Sequence, residues 1–483
     1  MIKCISFKLF SILCVLLMSS LALAQSQTQA SERFGVCTHI VNWQHAAKLD
    51  FVRVIEQAGL WSFRDEQGWN HVEKSPGVYQ FSKGTEQMID RANELGIEPL
   101  FLLVYGAPKG MYENPLDPEA FGNYAAHAVT HFKGRIKYFE IWNEPHNFFF
   151  RQQYGGAWNG KEADNSDALW VKKFAEFVEI VARKIKQANP DVFLVTGAID
   201  PVNHRLLARY PAMWEHIDAM AIHPYPYSLP PELTPFGGKN NERDGVFVAD
   251  DSHSFSSMIQ TYRKAIETMG KPQMQIWITE VGYTTARQTK KQLFQGFTPY
   301  AQACYNVRMG LLAAGNGVEK TYFYDLFDDG NEPDQTEHHF GLFNRDSTPK
   351  PAWMAISRMA GLMPGNTLPT EMKIDLQIPT LRDYHVGVAW DDAKIKYINQ
   401  PQIQCFLRPD GQRVVFIWKP GRIFADAQDD IAHVTIKDCP YQLLEAGHLV
   451  TGRKLQLQST HKDNTLVING MPYTEDPVYF LLK

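Results

Sequence analysis

The sequence predicts an α/β chain, a (β/α)8 barrel followed by an all-β sandwich. Three observations carry this. Between Arg33 and about Gly365, eight runs of β-branched and aromatic residues alternate with amphipathic stretches. Two of those runs end abruptly in a glutamate: Lys137-Tyr-Phe-Glu-Ile-Trp-Asn-Glu144-Pro145 and Gln275-Ile-Trp-Ile-Thr-Glu280-Val-Gly-Tyr283. Beyond Met372 the helical periodicity vanishes and short alternating runs replace it.

Taken in order, residues 1–24 read as a signal peptide. Lys3 and Lys8 form a basic start, Leu9 to Leu23 an apolar core, and Ala22-Leu23-Ala24 a small-x-small cleavage site before Gln25. The apolar stretch is shorter than the ~20 residues a spanning helix needs, so the expectation is an exported chain, secreted or periplasmic. Residues 31–370 form the barrel. Its strands are read at Phe34–His39, Leu60–Arg64, Ile97–Tyr105, Ile136–Asn143, Val192–Ala198, Ala219–Pro224, Met274–Glu280 and Val318–Asp325. Stretches such as Ala168–Ala188 and Phe255–Met269 repeat apolar residues every three or four positions, as helices do. Asn189-Pro190-Asp191 and Gly270 are their stops. A doubly wound open sheet would share the alternation, but the first strand-to-helix turn has no glycine-rich phosphate fingerprint. Eight strand–helix units therefore predict the closed barrel. Residues 371–483 are expected to form the sandwich. Gln412–Trp418, Ala432–Ile436, Thr465–Ile468 and Val478–Leu482 read as strands, and Pro409-Asp-Gly411 and Lys419-Pro-Gly421 as turns.

Composition narrows the function. Lys and Arg total 48 against 53 Asp and Glu, a net charge of −5 with no block of like charges. That argues against a polybasic surface for nucleic acid or membrane. Of six cysteines, Cys4 and Cys14 would leave with the signal peptide. Cys37, Cys304, Cys405 and Cys439 allow three pairings, and a Cys405–Cys439 bridge stays open. No Cys/His spacing matches a zinc site, and no metal or cofactor is expected.

A strand buried on both faces delivers a terminal carboxylate to the barrel rim, where active sites of this architecture are built. Two such glutamates are what glycoside hydrolysis uses: one proton donor and one nucleophile or base. Trp142-Asn143-Glu144-Pro145 followed by Ile278-Thr279-Glu280 resembles the catalytic pair of the clan A glycoside hydrolases, retaining (β/α)8 enzymes. The resemblance implies Glu144 as acid/base and Glu280 as nucleophile. It places Arg64 beside the nucleophile, Asn143 on the sugar 2-hydroxyl, and the hydroxyl of Tyr225, from His223-Pro-Tyr225, on Glu280. The run Tyr322-Phe-Tyr324-Asp325, then Phe340-Gly341-Leu342 and Lys350-Pro351-Ala352, is similar to glycoside hydrolase family 39, in which a β-sandwich accompanies the barrel. Here His339 stands where that pattern has asparagine, which puts the sugar contacts of its loop in doubt.

Aromatic residues crowd the loops: Trp69, Tyr105, Phe148-Phe149-Phe150, Trp158 and Tyr283. Flat rings bind the C–H faces of sugars while polar groups read the hydroxyls. The expected substrate-binding set is therefore Arg64, Trp69, Asn143, His223, Tyr225, Tyr283, Tyr324 and Trp158. The long loop Tyr227–Ser252 is expected to be flexible, a lid or an insertion. The leading expectation is an exported enzyme acting on a polysaccharide, a bacterium's own exopolysaccharide being favoured. An exo-acting β-xylosidase, another clan A glycanase and a barrel that binds glycan without cutting it are the alternatives. Sugar, linkage and oligomeric state are not legible in the sequence.

Overall fold

Eight parallel strands close on themselves, each followed by a helix of the outer layer. In chain order they are β1 (Ser31–Cys37), β2 (Leu60–Glu66), β3 (Glu98–Leu103), β4 (Tyr138–Ile141), β5 (Phe193–Gly197), β6 (Ala219–Ile222), β7 (Gln275–Val281) and β8 (Lys320–Phe323). Each pairs with its neighbour, and β8 returns to β1 to complete the barrel. The structure, a computed structural model, describes residues 29–40, 50–147, 149–197, 199–287, 293–378, 383–388, 391–398, 400–423 and 430–483. The signal-peptide expectation for residues 1–24 and the expectation for Phe148 lie outside the described residues. Among the described residues no helix is long and apolar enough to cross a membrane.

The helices of the outer layer are α1 (Phe51–Gln57), α2 (Lys83–Leu95), α3 (Pro118–His131), α4 (Leu169–Ala188), α5 (Val202–Arg209), α6 (Phe255–Thr268), α7 (Pro299–Gly315) and α8 (Pro351–Leu362). Their ends follow local chemistry. Ser82, Asp117, Ser254 and Thr298 each accept a backbone N–H of the first turn of α2, α3, α6 and α7, which satisfies donors the helix leaves unpaired. Gly96 ends α2 in the left-handed conformation, φ 67°, where glycine carries no Cβ penalty.

Strand alternation divides the side chains between two cores. Trp61, Leu100, Val195, Ala219, Ala221, Trp277 and Tyr322 fill the barrel interior. Their neighbours Leu60, Phe101, Leu194, Met220 and Ile278 point outward into the helix layer. Gly35 is required on β1 because a Cβ there would meet the Tyr322 ring at 2.6 Å. Strand β2 runs two residues beyond the expected Arg64, since Asp65 and Glu66 still pair with Phe101 and Leu102. The rim of the barrel therefore carries three consecutive charged residues.

The C-terminal region is all β. One sheet has the order β9 (Leu368–Pro369), β13 (Gln402–Leu407), β14 (Arg413–Trp418), β19 (Val478–Leu482), β16 (Leu443–His448). The other is β10 (Lys373–Gln377), β15 (Asp430–Lys437), β18 (Thr465–Tyr473), β17 (Gln458–Lys462), and Asp383–Val388 (β11) pairs with Asp391–Ile398 (β12). Strand β14 reads as an unbroken apolar run because both of its faces are covered. Val415 and Ile417 enter the core between the sheets, while Val414, Phe416 and Trp418 join the barrel's helix-layer core. Edge strand β17 gave no apolar signal, since all five of its residues are exposed. Cys405 and Cys439 are free thiols.

Polar contacts tie the two regions. Arg308 of α7 donates to the buried Glu232 at 2.5–2.9 Å, Trp418 Nε1 donates to the same carboxylate at 2.8 Å, and the Gly421 amide at 3.3 Å. Arg358 of α8 donates to the carbonyls of Leu449 and Val450. The loop bearing Glu232 is not a free flap: Thr234 N bonds His253 O, Asn241 bonds Ala249 O, and Val248 N bonds Asn241 Oδ1. These bonds, with the short helix Lys239–Asp244, give the loop internal structure.

Candidate active site

Glutamate 140 explains how the site is held. On β4, Tyr138 and Glu140 point into the barrel while Phe139 and Ile141 point out. Glu140 is completely buried, and a buried carboxylate requires partners. It receives Arg64 Nε at 2.5 Å and Thr279 Oγ1 at 2.9 Å. Arg64 then spreads its remaining donors, Nη1 to Glu280 Oε1 at 2.6 Å and Nη2 to Asn143 Oδ1 at 3.0 Å. One planar guanidinium thus fixes residues from β4 and β7 together, as its rigid fork of donors allows. Glu280, 8% exposed, also accepts Tyr225 Oη at 3.1 Å.

Beyond β4 the chain bends sharply. Trp142 and Glu144 hold positive φ angles of 68° and 38°, a conformation that non-glycine residues keep only where the surroundings over-determine it. Trp142 N donates to Leu103 O at 2.8 Å, and its indole packs edge-on against Phe150 and Phe177. The bend presents Glu144 to the cavity, where Asn147 Nδ2 donates to Oε2 at 2.9 Å and His223 Nδ1 lies 3.0 Å from Oε1.

A cavity of about 320 Å³ opens at this rim, with Arg64, Asn143, Glu144, His223, Tyr225 and Glu280 in its wall. One oxygen of Glu144, one of Glu280 and a nitrogen of His223 all lie within 4.8 Å of one another. His39, Asp325 and Asp329 form a second such trio, so these are the two groups among the described residues whose spacing could hold a cation. Charges in the pocket act on one another. Burial opposes protonation of His39, yet the adjacent Glu66 lifts it to about 10. Burial and the neighbouring Glu280 push Glu337 up to about 7.

Of the residues expected from sequence, Arg64, Asn143, Glu144, His223, Tyr225, Glu280 and Tyr324 line this cavity, as does Tyr105. Trp158 lines an adjoining cavity of about 340 Å³. Trp69 and Tyr283 do not reach either one. Trp69 is fully buried, with its indole N–H on Glu73 at 2.6 Å and its ring against Phe121. Tyr283 packs with Tyr305 and Phe297, 1% exposed. Both follow strand ends, but their rings turn outward under the loops, where apolar area is removed from water. Phe149 likewise packs on Trp142 and Tyr105. Sequence reasoning did not single out Glu140, His39, Glu66, His146 or Asn147. Glu140 had a signal: a lone carboxylate inside an apolar strand must be paired. For Asn147 the signal was its position three residues past Glu144.

Residues 239–352, which carry Glu280 but not Glu144, match the family model of glycosyl hydrolases family 17. The chain is similar in structure to a family 39 glycoside hydrolase from the gut symbiont Bacteroides cellulosilyticus WH2, with TM-score 0.68 and 21% identity over 95% of this chain and 82% of that one. A glucosidase from Croceicoccus marinus matches with TM-score 0.57 and 10% identity over 94% of this chain and 96% of that one. At such identities these neighbours show the shared fold, while the family match bears on the segment around the seventh strand. Barrel, family match over residues 239–352 and paired glutamates together support a glycoside hydrolase of the clan A type.

Proposed function

We propose that this chain is an exported retaining glycosidase that cleaves a polysaccharide, the favoured candidate being a bacterium's own exopolysaccharide. The observation that carries the reaction is the approach of Glu144 and Glu280 oxygens to within 4.8 Å. Retaining enzymes hold their carboxyl groups about 5–5.5 Å apart, whereas inverting ones need about 6.5–9.5 Å to admit a water. Glu280 is the nucleophile. Arg64 and Tyr225 hold its carboxylate in place by ion pair and hydrogen bond, and a carboxylate is what attacks the anomeric carbon. Glu144 protonates the departing oxygen, then takes a proton from the water that releases the sugar. Asn143, its carbonyl oxygen held by Arg64, has its amide N–H₂ for the sugar 2-hydroxyl.

The export reading rests on the signal-peptide pattern of residues 1–24, and the polymer reading on that pattern with the adjoining cavity. The test is digestion of natural polysaccharides with the wild-type chain and Glu280→Ala. Early products should be oligosaccharides of retained anomeric configuration, absent with the variant. Single sugars released from the outset would favour exo action, and inverted products would refute the assigned roles.

A further inference from the structure

The adjoining cavity shares His146, Asn147, Ile199, Tyr227 and Leu293 with the catalytic one, so the two lie side by side. Asn147 is hydrogen-bonded to Glu144, which therefore stands at the junction. Arg64, Tyr225, Glu280 and Tyr324 line only the catalytic side. The bond that breaks runs from a sugar carbon facing Glu280 to an oxygen facing Glu144. What leaves with that oxygen must lie beyond Glu144.

We propose that the adjoining cavity is the leaving-group subsite, and that it selects a leaving group with a flat apolar face. The assignment rests on the glycosidase reading above; the wall chemistry supplies the selectivity. Trp158 and Phe236, with ring centroids 6.5 Å apart, and Ile199 form its apolar walls. Leu293, which lines both cavities, is 45% exposed, a large aliphatic side chain that a bound ring would cover. Among the described residues Arg243 is the one cationic side chain in the lining. Its Nε and Nη2 are held by the buried Asp244 at 2.8 and 3.0 Å, and its guanidinium lies 6.0 Å from the Trp158 ring. With its charge matched by Asp244, it orients the indole and does not attract an anionic ligand. Polar groups that could read many hydroxyls are few here, so stacking carries the recognition. The short helix Lys239–Asp244, inside the bonded loop after β6, brings Arg243 to this wall.

Two sources offer such a face: an aryl aglycone, and a sugar ring presenting its C–H face. The test takes the sugar that the wild type releases fastest from 4-methylumbelliferyl β-xyloside, glucoside, galactoside and mannoside. The matching glycosyl fluoride, whose leaving group is a single atom, is the reference, and the matching β-linked disaccharide is the second arm. Trp158→Ala should lower kcat/KM for a ring-bearing substrate about tenfold more than for the fluoride, and Trp158→Phe should restore most of the loss. A loss confined to the umbelliferyl glycoside marks an aryl site, and one confined to the disaccharide marks a sugar site. Equal losses on all substrates, or none, overturn the proposal. If the wild type is no faster than Glu280→Ala on any substrate, the glycosidase reading fails. Saturable binding of 4-methylumbelliferone by tryptophan fluorescence, lost in Trp158→Ala, then still decides the subsite; its absence overturns it.

Discussion

His223 Nδ1 lies 3.0 Å from Glu144 Oε1, and its Nε2 lies 2.9 Å from Thr279 Oγ1. The second contact fixes the meaning of the first. Thr279 gives its single hydroxyl proton to Glu140, so toward His223 it accepts, and Nε2 carries a proton. The Glu144–His223 bond then needs one more proton, on the carboxyl or on Nδ1. Burial would lift Glu144 and lower His223, but the His223 bond, the charges of His146 and His223 and the Asn147 bond together outweigh it at Glu144, and the charges of Glu280 and Glu144 with the shared bond outweigh it at His223. Glu144 is held at about 2 and His223 above its ordinary 6.5. The shared proton rests on the imidazole and is one short transfer from the acid's position.

The pH dependence follows. The pair keeps its proton until pH rises through the raised His223 value, so the alkaline limb of kcat/KM should lie above 6.5. In His223→Gln the limb should follow the carboxyl alone, which starts from 4.5 with burial lifting it. With His146 and Asn147 still lowering that carboxyl, the limb should move down in pH. Stability carries the same signs. The depressed Glu144 contributes above 4.5 and loses this as pH falls toward 2, while the raised His223 contributes below 6.5 and loses this at higher pH. The contribution of the pair to Tm should peak between those ordinary values and flatten in His223→Gln. An unmoved alkaline limb would mean that the proton comes from elsewhere.

Glu140 is the anchor of this network, though it touches no part of the cavity. Glu140→Gln leaves Arg64, 5% exposed, with one carboxylate in place of two. Breaking a buried pair costs about 3–5 kcal/mol, which denaturant midpoints will show. The surface pair Arg91–Glu94 is the control, and Glu94→Gln should change the midpoint little. Equal small effects at both positions would remove Glu140 from its structural role.

The barrel was legible because its strands are buried on both faces while most of its helices, α7 excepted, are buried on one, so the two periods alternate visibly along the chain. The sandwich was legible only where a strand is covered, as in β14, and silent where it faces water, as in β17. Convergence of Arg64, Asn143, His223, Tyr225 and the two glutamates follows from their place at strand ends, which a barrel brings to one rim. Ring direction was not legible. Trp69, Tyr283 and Trp158 all follow strand ends, yet only Trp158 lies beside a cavity. Whether a loop aromatic faces substrate or core depends on backbone torsions that composition does not reveal. Glu140 was overlooked because an inward-pointing carboxylate below the rim looks like an interruption of the strand until its partners are known.

Tyr225→Phe isolates one hydrogen bond while keeping the ring that packs edge-on against Phe294. A bond to a charged group contributes about 1.5–3 kcal/mol, so kcat should fall about 10- to 100-fold while Tm is nearly preserved. Wild-type kcat in this variant would show that Arg64 alone holds Glu280 in its reactive form.

The two glutamates differ in what their loss allows, and that difference assigns their roles. An aryl glycoside with a very acidic leaving phenol scarcely needs protonation to depart. Glu144→Ala should therefore still form the glycosyl-enzyme on Glu280 and then stall, because no base activates water for the second step. Azide needs no base, so it should restore turnover and give a glycosyl azide of retained configuration. Glu280→Ala has no nucleophile. Azide there would enter from the vacated face in a single displacement and yield the inverted azide, provided that Glu144 or the leaving group supplies enough activation. NMR coupling constants at the anomeric carbon distinguish the two products. Retained product from Glu280→Ala together with inverted product from Glu144→Ala would reverse the assignment. Rescue of neither variant, with wild-type turnover intact, would mean that the chemistry runs through a different pair of groups.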